Sequence, residues 1–156
     1  YDKLYNTNRQ TRVDSVDGLQ WHRTGDIGHF DEHGRLWIEG RTQHIVTPST
    51  GAFGPGGPED DIQRLPSINR VAIVGVGPVG TQAIVAVVEP HDGQIKPGLA
   101  PSALTDDVRA ATDIDIAAVL VTHRVPVDIR HNSKINRPLL AEWAEKVLAG
   151  GKVTAL

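Results

Sequence analysis

Two apolar runs decide the fold of this chain: Arg70-Val-Ala-Ile-Val-Gly-Val76 and Gln82-Ala-Ile-Val-Ala-Val-Val88. Both are rich in valine, isoleucine and alanine, a composition that favours well-buried β-strands. The segment between them contains two glycines around Pro78, which suits a turn between two strands. The two runs therefore supply two strands of the predicted sheet.

The remaining elements of the predicted domain follow further along the chain. Ala118–Val125 predicts a third strand. Short helices are predicted from Pro58 to about Leu65 and over Asp106–Ala111, both with acidic residues in the first turn. Pro48–Pro58 holds four glycines and three prolines and is a predicted loop. The last helix opens at Pro138, and its predicted apolar face consists of Leu139, Leu140, Trp143 and Val147.

These elements predict an α+β fold. A β-rich piece up to about Gly40 includes a hairpin over Ile27–Glu39, which turns at Asp31-Glu-His-Gly34. From Arg41 onward, three strands with helices on one side predict a small two-layer domain.

Composition excludes several classes of function. The 156 residues are 39% hydrophobic and 22% charged, with a net charge of −3, so a large nucleic-acid or anionic-membrane surface is not expected. No stretch approaches the roughly 20 apolar residues of a membrane helix. Cysteine is absent, which excludes disulfides, thiolate zinc sites and cysteine nucleophiles. Methionine is absent too and the chain starts at Tyr1, so we expect a fragment of a longer protein.

Two chemically suggestive motifs fail a test of structural context. Gly75-Val-Gly-Pro-Val-Gly80 matches the dinucleotide fingerprint, but a strand follows it where that fingerprint needs a helix. His29-Phe-Asp-Glu-His33 matches an inverted zinc-protease spacing, but it lies in the predicted hairpin and no helical face can bring both imidazoles to a metal. We therefore assign no metal ligands.

The most informative cluster is Trp21-His-Arg-Thr-Gly-Asp26, which puts a carboxylate directly after a glycine at a strand end. Glycine allows a ligand to approach the backbone, and Asp26 can accept two hydrogen bonds from a vicinal diol such as that of a ribose. Arg41 follows 15 residues later, and the hairpin between them can return it to Asp26, where a guanidinium can hold phosphate oxygens. The simpler alternative is an aspartate that only fixes a turn.

The third element is the basic segment Ser133-Lys-Ile-Asn-Arg137, which lies ahead of the last helix. Lys134 can reach a phosphate or carbonyl oxygen as a mobile point charge. Its alternative role is that of a solvated surface lysine.

In this order, Trp-His-Arg-Thr-Gly-Asp26, Gly-Arg41, Val-Ala-Ile-Val-Gly-Val76 and the late Lys134-Ile-x-Arg resemble the adenylate-forming superfamily of acyl-CoA synthetases, luciferase and peptide-synthetase adenylation domains. The resemblance implies that residues 1–41 are the tail of the large adenylation domain and residues 42–156 the small mobile C-terminal domain. It implies that Asp26 binds the ATP ribose hydroxyls and that Arg41 lies beside the ribose and phosphate. Gln43 falls at the hinge between the domains, although that position usually carries Asp or Lys. Lys134 resembles the lysine that stabilises the adenylation transition state.

The loop after the hinge departs from the acyl-CoA synthetase pattern. It carries no lysine or arginine between His44 and Arg64, whereas a surface for CoA phosphates needs cations. The segment Val127-Asp-Ile-Arg-His-Asn132 before Lys134 resembles the β-lactone synthetases of bacterial long-chain olefin biosynthesis. Those enzymes adenylate a β-hydroxy fatty acid, whose own hydroxyl displaces AMP without CoA.

The resemblance predicts a cytoplasmic ligase for which ATP and a fatty or β-hydroxy fatty acid are substrates. Mg²⁺ would be held mainly by the N-terminal part, on which this fragment depends for activity. A fatty acyl-CoA ligase using CoA is the alternative within the class. A non-catalytic binding or interaction module is the alternative outside it, because fold does not decide function.

Overall fold

The computed structural model describes residues 12–14, 20–128, 131–154 and 156. The described part of the chain begins with two small antiparallel pairs of strands. The first joins β1 (Arg12–Asp14) to β2 (Gln20–His22), and the second joins β3 (Asp26–Phe30) to β4 (Leu36–Arg41). The second pair confirms the predicted hairpin.

The turn of this hairpin is organised by Asp31. Its carboxylate accepts hydrogen bonds from the backbone N–H groups of His33 and Arg35, both at 2.9 Å, and from Trp37 Nε1, also at 2.9 Å. These bonds, with the one from Trp37 first, lower the pKa of Asp31 to about 2. Gly34, with φ of 74°, supplies the left-handed residue that closes the turn.

A four-stranded sheet forms the centre of the rest of the chain. Its strands are β5 (Ile68–Val76), β6 (Ala83–Pro90), β7 (Gly98–Leu99) and β8 (Ala118–Val121). They lie in the order β5-β6-β8-β7, with β6 and β8 parallel and the other two pairs antiparallel. The glycine motif at residues 75–80 is the antiparallel turn between β5 and β6, as its context predicted.

Among the described residues, three α-helices surround the sheet: α1 (Gly56–Gln63), α2 (Ser102–Ala110) and α3 (Arg137–Leu148). Ile62 of α1 and Val108 of α2 pack in one buried cluster with Ile73 of the sheet. Leu140 and Trp143 of α3 belong to a second cluster. A final pair of short strands, β9 (Val127–Asp128) and β10 (His131–Ile135), lies between β8 and α3.

The α+β class is confirmed, but two details of the predicted domain were wrong. The sheet has four strands rather than three, because β7 is only two residues long and leaves no pattern in the sequence. Helices cover both faces of the sheet, so the domain is not two-layered. Residues 71–74 are consecutive apolar residues and are all buried. Because consecutive strand residues face opposite sides of a sheet, such an unbroken apolar run indicates a sheet that is covered on both faces.

The predicted apolar face of the last helix needs a similar correction. Leu140 and Trp143 are buried as expected, whereas Leu139 is 41% exposed and Ala144 is buried in its place. Within the described ranges, no helix is long and apolar enough to cross a membrane.

Candidate active site

Asp26 and Arg41 face each other where the β3–β4 hairpin ends, because they are register partners in that ladder. Arg41 Nε lies 3.0 Å from Asp26 Oδ1, and Arg41 Nη1 donates a 2.7 Å hydrogen bond to the carbonyl oxygen of Thr24. The side chains remain partly exposed, at 34% for Asp26 and 45% for Arg41. The pair is thus fixed in orientation and still accessible to a ligand.

The backbone before Asp26 is held from both directions. Gly25 has φ of 75°, a conformation that favours glycine, and its carbonyl oxygen accepts 2.8 Å and 3.0 Å hydrogen bonds from the backbone N–H and the hydroxyl of Thr42. The Asp26 N–H donates to Thr24 Oγ1 at 3.1 Å. The Thr-Gly-Asp sequence therefore forms a defined loop beside Arg41.

Gln43 lies in a 3-10 helix, Thr42–His44, between two fixed points. On one side Thr42 is bonded to Gly25. On the other, the Thr47 N–H donates to Gln82 Oε1 at 2.8 Å, which ties the chain to the turn of the main sheet. The short segment between these anchors is the stretch at which the hairpin and the sheet domain are joined.

Lys134 lies on β10 and lines a cleft of about 280 Å³. The cleft is also lined by Gln43, His44, Ile135, Asn136 and Pro138. The structure therefore brings the predicted hinge residue and the predicted catalytic lysine to one cleft, although 90 residues separate them in the sequence of 156.

His44 is a half-buried member of this cleft that the sequence did not single out. Burial lowers the pKa of its imidazole, and the positive charges of Arg137 and Arg41 lower it further. His44 thus lies within the electrostatic reach of both the Asp26–Arg41 pair and the segment that follows Lys134.

The lowered pKa of His44 predicts that stability falls in mild acid. The folded protein binds a proton at His44 less readily than the unfolded chain does. The contribution of neutral His44 to the free energy of unfolding is therefore complete above the ordinary pKa of 6.5 and is lost as the pH falls below that value. His44→Gln should reduce the drop in melting temperature between about pH 7.5 and about pH 5.5. An equal drop in the variant and the unaltered protein would contradict this expectation.

Arg137 and Glu59 form a partly buried ion pair that sequence analysis missed. The Arg137 side chain is 15% exposed and the Glu59 side chain 12%. Arg137 Nη2 donates to Glu59 Oε2 at 2.7 Å, and Nη1 donates to Glu59 Oε1 and to the Ile73 carbonyl oxygen at 3.1 Å. Local patterns gave Arg137 only as part of a basic segment and Glu59 only as a helix-start acid.

The hairpin that carries Asp26 and Arg41 packs closely on the start of α1 and on the loop before it. A Cβ atom added at Gly54 would lie 2.6 Å from the Glu39 carbonyl oxygen, and one at Gly56 would lie 2.8 Å from it. Glycine at these positions therefore allows the β4 backbone to contact the sheet domain directly.

Gly54→Ala should disrupt this contact and lower the free energy of unfolding by about 1–3 kcal/mol, because the Glu39 backbone cannot move aside cheaply. Gly57→Ala is the matched control, since nothing lies within 4 Å of its added Cβ and alanine favours the helix by up to about 1 kcal/mol. Urea unfolding measures both. Equal stability of the Gly54→Ala variant and the unaltered protein would show that the contact is unimportant.

The zinc-protease spacing at residues 29–33 has no helical context. His29 lies in β3 and its Nδ1 is 2.5 Å from Glu39 Oε1, whereas Glu32 and His33 lie in the turn. Among the residues that the structure describes, no group of three or more histidine and acidic side chains could hold a metal ion.

Relatives of known activity match most of this chain. It is 40% identical over 131 residues to an olefin β-lactone synthetase of Xanthomonas campestris, and 39% identical over 128 residues to one of Stenotrophomonas maltophilia. The matches cover 79% and 81% of this chain and 23% of each relative. No protein-family model matches the chain.

Solved structures agree with this relationship. The anthranilate CoA ligase AuaEII in complex with anthranoyl-AMP superposes with a TM-score of 0.71 at 20% identity, over 93% of this chain and 27% of the ligase. ATP-bound MatB from Rhodopseudomonas palustris gives 0.67 at 19% identity, over 93% of this chain and 28% of MatB. The sequence matches to the two olefin β-lactone synthetases show that this chain belongs to their family, and the solved structures show that it has the fold of part of an adenylate-forming enzyme.

The adenylate-forming relationship confirms the family and fold that the motif order predicted. The structure adds that Asp26 pairs with Arg41 and that Lys134 shares a cleft with Gln43. The individual roles of these four residues, and the domain boundary between residues 41 and 42, stay predictions.

Proposed function

We propose that the full-length protein is an ATP-dependent, AMP-forming enzyme that adenylates a fatty or β-hydroxy fatty acid and closes the latter to a β-lactone. The observation that carries this proposal is the sequence relationship to two olefin β-lactone synthetases over about four-fifths of the chain. This chain spans less than a quarter of the length of those relatives. We propose that it works together with the upstream part of the same enzyme.

In the first half-reaction a carboxylate oxygen of the acid attacks the α-phosphorus of ATP, which forms acyl-AMP and releases pyrophosphate. Negative charge accumulates on the phosphate oxygens, and a pre-positioned cation stabilises it. We assign this task to the exposed Lys134 ammonium. Asp26 accepts hydrogen bonds from the ribose hydroxyls, and Arg41, oriented by its 3.0 Å contact with Asp26, lies beside the ribose and phosphate.

In the second half-reaction the β-hydroxyl oxygen attacks the acyl carbon. The bond to AMP breaks, the four-membered lactone closes, AMP departs with the bonding electrons, and the hydroxyl proton passes to water. No second substrate is needed. The absence of lysine and arginine between His44 and Arg64 supports this product over a CoA thioester.

ATP-bound and acyl-AMP-bound relatives of the same fold support ATP as the nucleotide. A magnesium ion would neutralise phosphate charge during adenylation. The described residues offer it no cluster of acidic or histidine ligands, so we assign magnesium binding to the upstream part of the enzyme. We likewise propose a hinge at Gln43, between residues 1–41 and 42–156, and a cytoplasmic location.

The decisive experiment incubates the full-length protein with ATP and a 3-hydroxy fatty acid, with and without CoA, and measures AMP and the lactone. We expect AMP and β-lactone in equal amounts without CoA. The matched control is the same acid without its hydroxyl, which should be adenylated but form no lactone. AMP and a thioester that appear only when CoA is present would establish the alternative, a fatty acyl-CoA ligase.

A further inference from the structure

The short hairpin of β9 and β10, which carries Lys134, is fixed to the sheet at the end where the chain enters it. Glu89 of β6 accepts a 2.7 Å hydrogen bond from the Val125 N–H through Oε2 and a 2.5 Å one from Asn69 Nδ2 through Oε1. Val125 itself is fully buried. The chain therefore leaves the sheet domain toward β9 in one defined direction.

The end at which the chain leaves the hairpin is fixed more strongly. The Asn136 N–H donates to the Pro126 carbonyl oxygen at 2.9 Å and so closes the base of the hairpin. Arg137, three residues after Lys134, then binds the Glu59 carboxylate with both terminal nitrogens and donates to the Ile73 carbonyl oxygen. Glu59 also accepts a 2.6 Å hydrogen bond from the Ile73 N–H.

This arrangement joins three elements at one point: α1 through Glu59, the edge strand β5 through Ile73, and the start of α3 through Arg137. A buried ion pair is weak evidence for stability, because apolar residues of similar volume often hold a fold equally well. A bidentate arginine differs from them in direction, since its planar guanidinium fixes both distance and angle.

We propose that Arg137 and Glu59 are positioning residues, which set the place of the Lys134 ammonium relative to the sheet domain for adenylation. This inference rests on the proposed function of Lys134. Its physical basis is that a displacement of about 1 Å of a catalytic group can cost roughly 100-fold in rate. Asn136 supports the same geometry, because its side-chain oxygen accepts a 3.3 Å hydrogen bond from the Leu139 N–H and caps α3.

The test uses Arg137→Lys in the full-length enzyme, which keeps the positive charge but loses the bidentate geometry. We expect kcat for ATP–pyrophosphate exchange to fall roughly 10- to 100-fold, while KM for ATP changes less than about three-fold. Arg109→Lys is the matched control: Arg109 also clamps two carbonyl oxygens, those of Ile116 and Ala117 at 3.0 Å, but in the loop before β8. It should leave kcat within about three-fold.

A double-variant comparison separates positioning from a purely structural role. If Arg137 acts through Lys134, Lys134→Ala combined with Arg137→Lys should exchange pyrophosphate no more than about two-fold slower than Lys134→Ala alone. If Arg137→Lys folds poorly, the double variant Glu59→Gln with Arg137→Gln replaces it in the test. This double variant leaves no unpaired charge at the site, and the same loss of kcat is expected.

The outcomes are distinguishable. Additive losses in the double variant, or full activity of Arg137→Lys, would overturn the positioning role and leave the proposed function standing. Exchange at the unaltered rate by Lys134→Ala would overturn the positioning role and the role assigned to Lys134, whereas failure of the unaltered full-length protein to form AMP from ATP and the acid would overturn the proposed function.

Discussion

Lys134→Ala in the full-length enzyme is expected to lower the rate of acid adenylation by about two to three orders of magnitude, the loss typical when a preorganised group that stabilises developing charge is removed. Lys134 is exposed and lines the cleft beside Gln43, so truncation removes the ammonium without opening a cavity in the core. ATP–pyrophosphate exchange with the acid measures the effect. KM for ATP should change little, because the interaction forms chiefly in the transition state.

Lys146→Ala is the control for this experiment. Lys146 is likewise exposed and lies near the end of α3, away from the cleft, so its loss should leave exchange unaltered. If Lys134→Ala exchanged pyrophosphate as fast as Lys146→Ala, the lysine would have no part in adenylation. The binding-module interpretation of this domain would then be favoured.

Asp26→Ala is expected to raise KM for ATP roughly 10- to 100-fold, because two charge-assisted hydrogen bonds to a ribose diol would be lost. Arg41 would also lose the carboxylate that holds its Nε, so its guanidinium would be less well oriented toward phosphate. Initial rates at varied ATP concentration measure the change.

Asp31→Ala provides the control within the same hairpin. Asp31 also pairs with an arginine, through Arg35 Nε at 2.7 Å, but at the turn end of β3 and β4. The Asp31→Ala substitution should weaken the hairpin without a specific effect on KM for ATP. Equal changes of KM in the two variants would assign Asp26 a structural role only, the alternative that its turn-like sequence left open.

The success and failure of sequence analysis follow from the range of each interaction. β5 and β6 are continuous apolar runs, and the Asp26–Arg41 pair follows from a single hairpin whose turn residues are recognisable in the sequence. Local patterns were therefore sufficient to predict these strands and this pair. The Glu59–Arg137 pair joins residues 78 apart, and no periodicity links them. The unbroken apolar runs indicated that both faces of the sheet are buried. The number of layers depends on which face α3 packs against, and local patterns do not determine this.

The cleft that unites Gln43 with Lys134 was beyond local patterns for the same reason. One side of the cleft comes from the segment directly after β4, and the other comes from β10 and the start of α3, near the end of the sequence. These segments meet only because β10 and α3 pack beside the segment after β4 in the folded chain. His44 illustrates the limit well, because its lowered pKa comes from burial and from the charges of Arg137, which is remote in the sequence, and of the nearby Arg41.

The Glu59–Arg137 pair also has a consequence for building hybrid enzymes. A crossover anywhere between these two positions would take Glu59 from one parent and Arg137 from the other. Each partly buried charge would then face a side chain from a different sequence background. A crossover near Gln43 transfers both partners together, along with the Glu89 contact to Val125. Recombination of relatives should therefore tolerate junctions at the 3-10 helix far better than junctions inside the sheet.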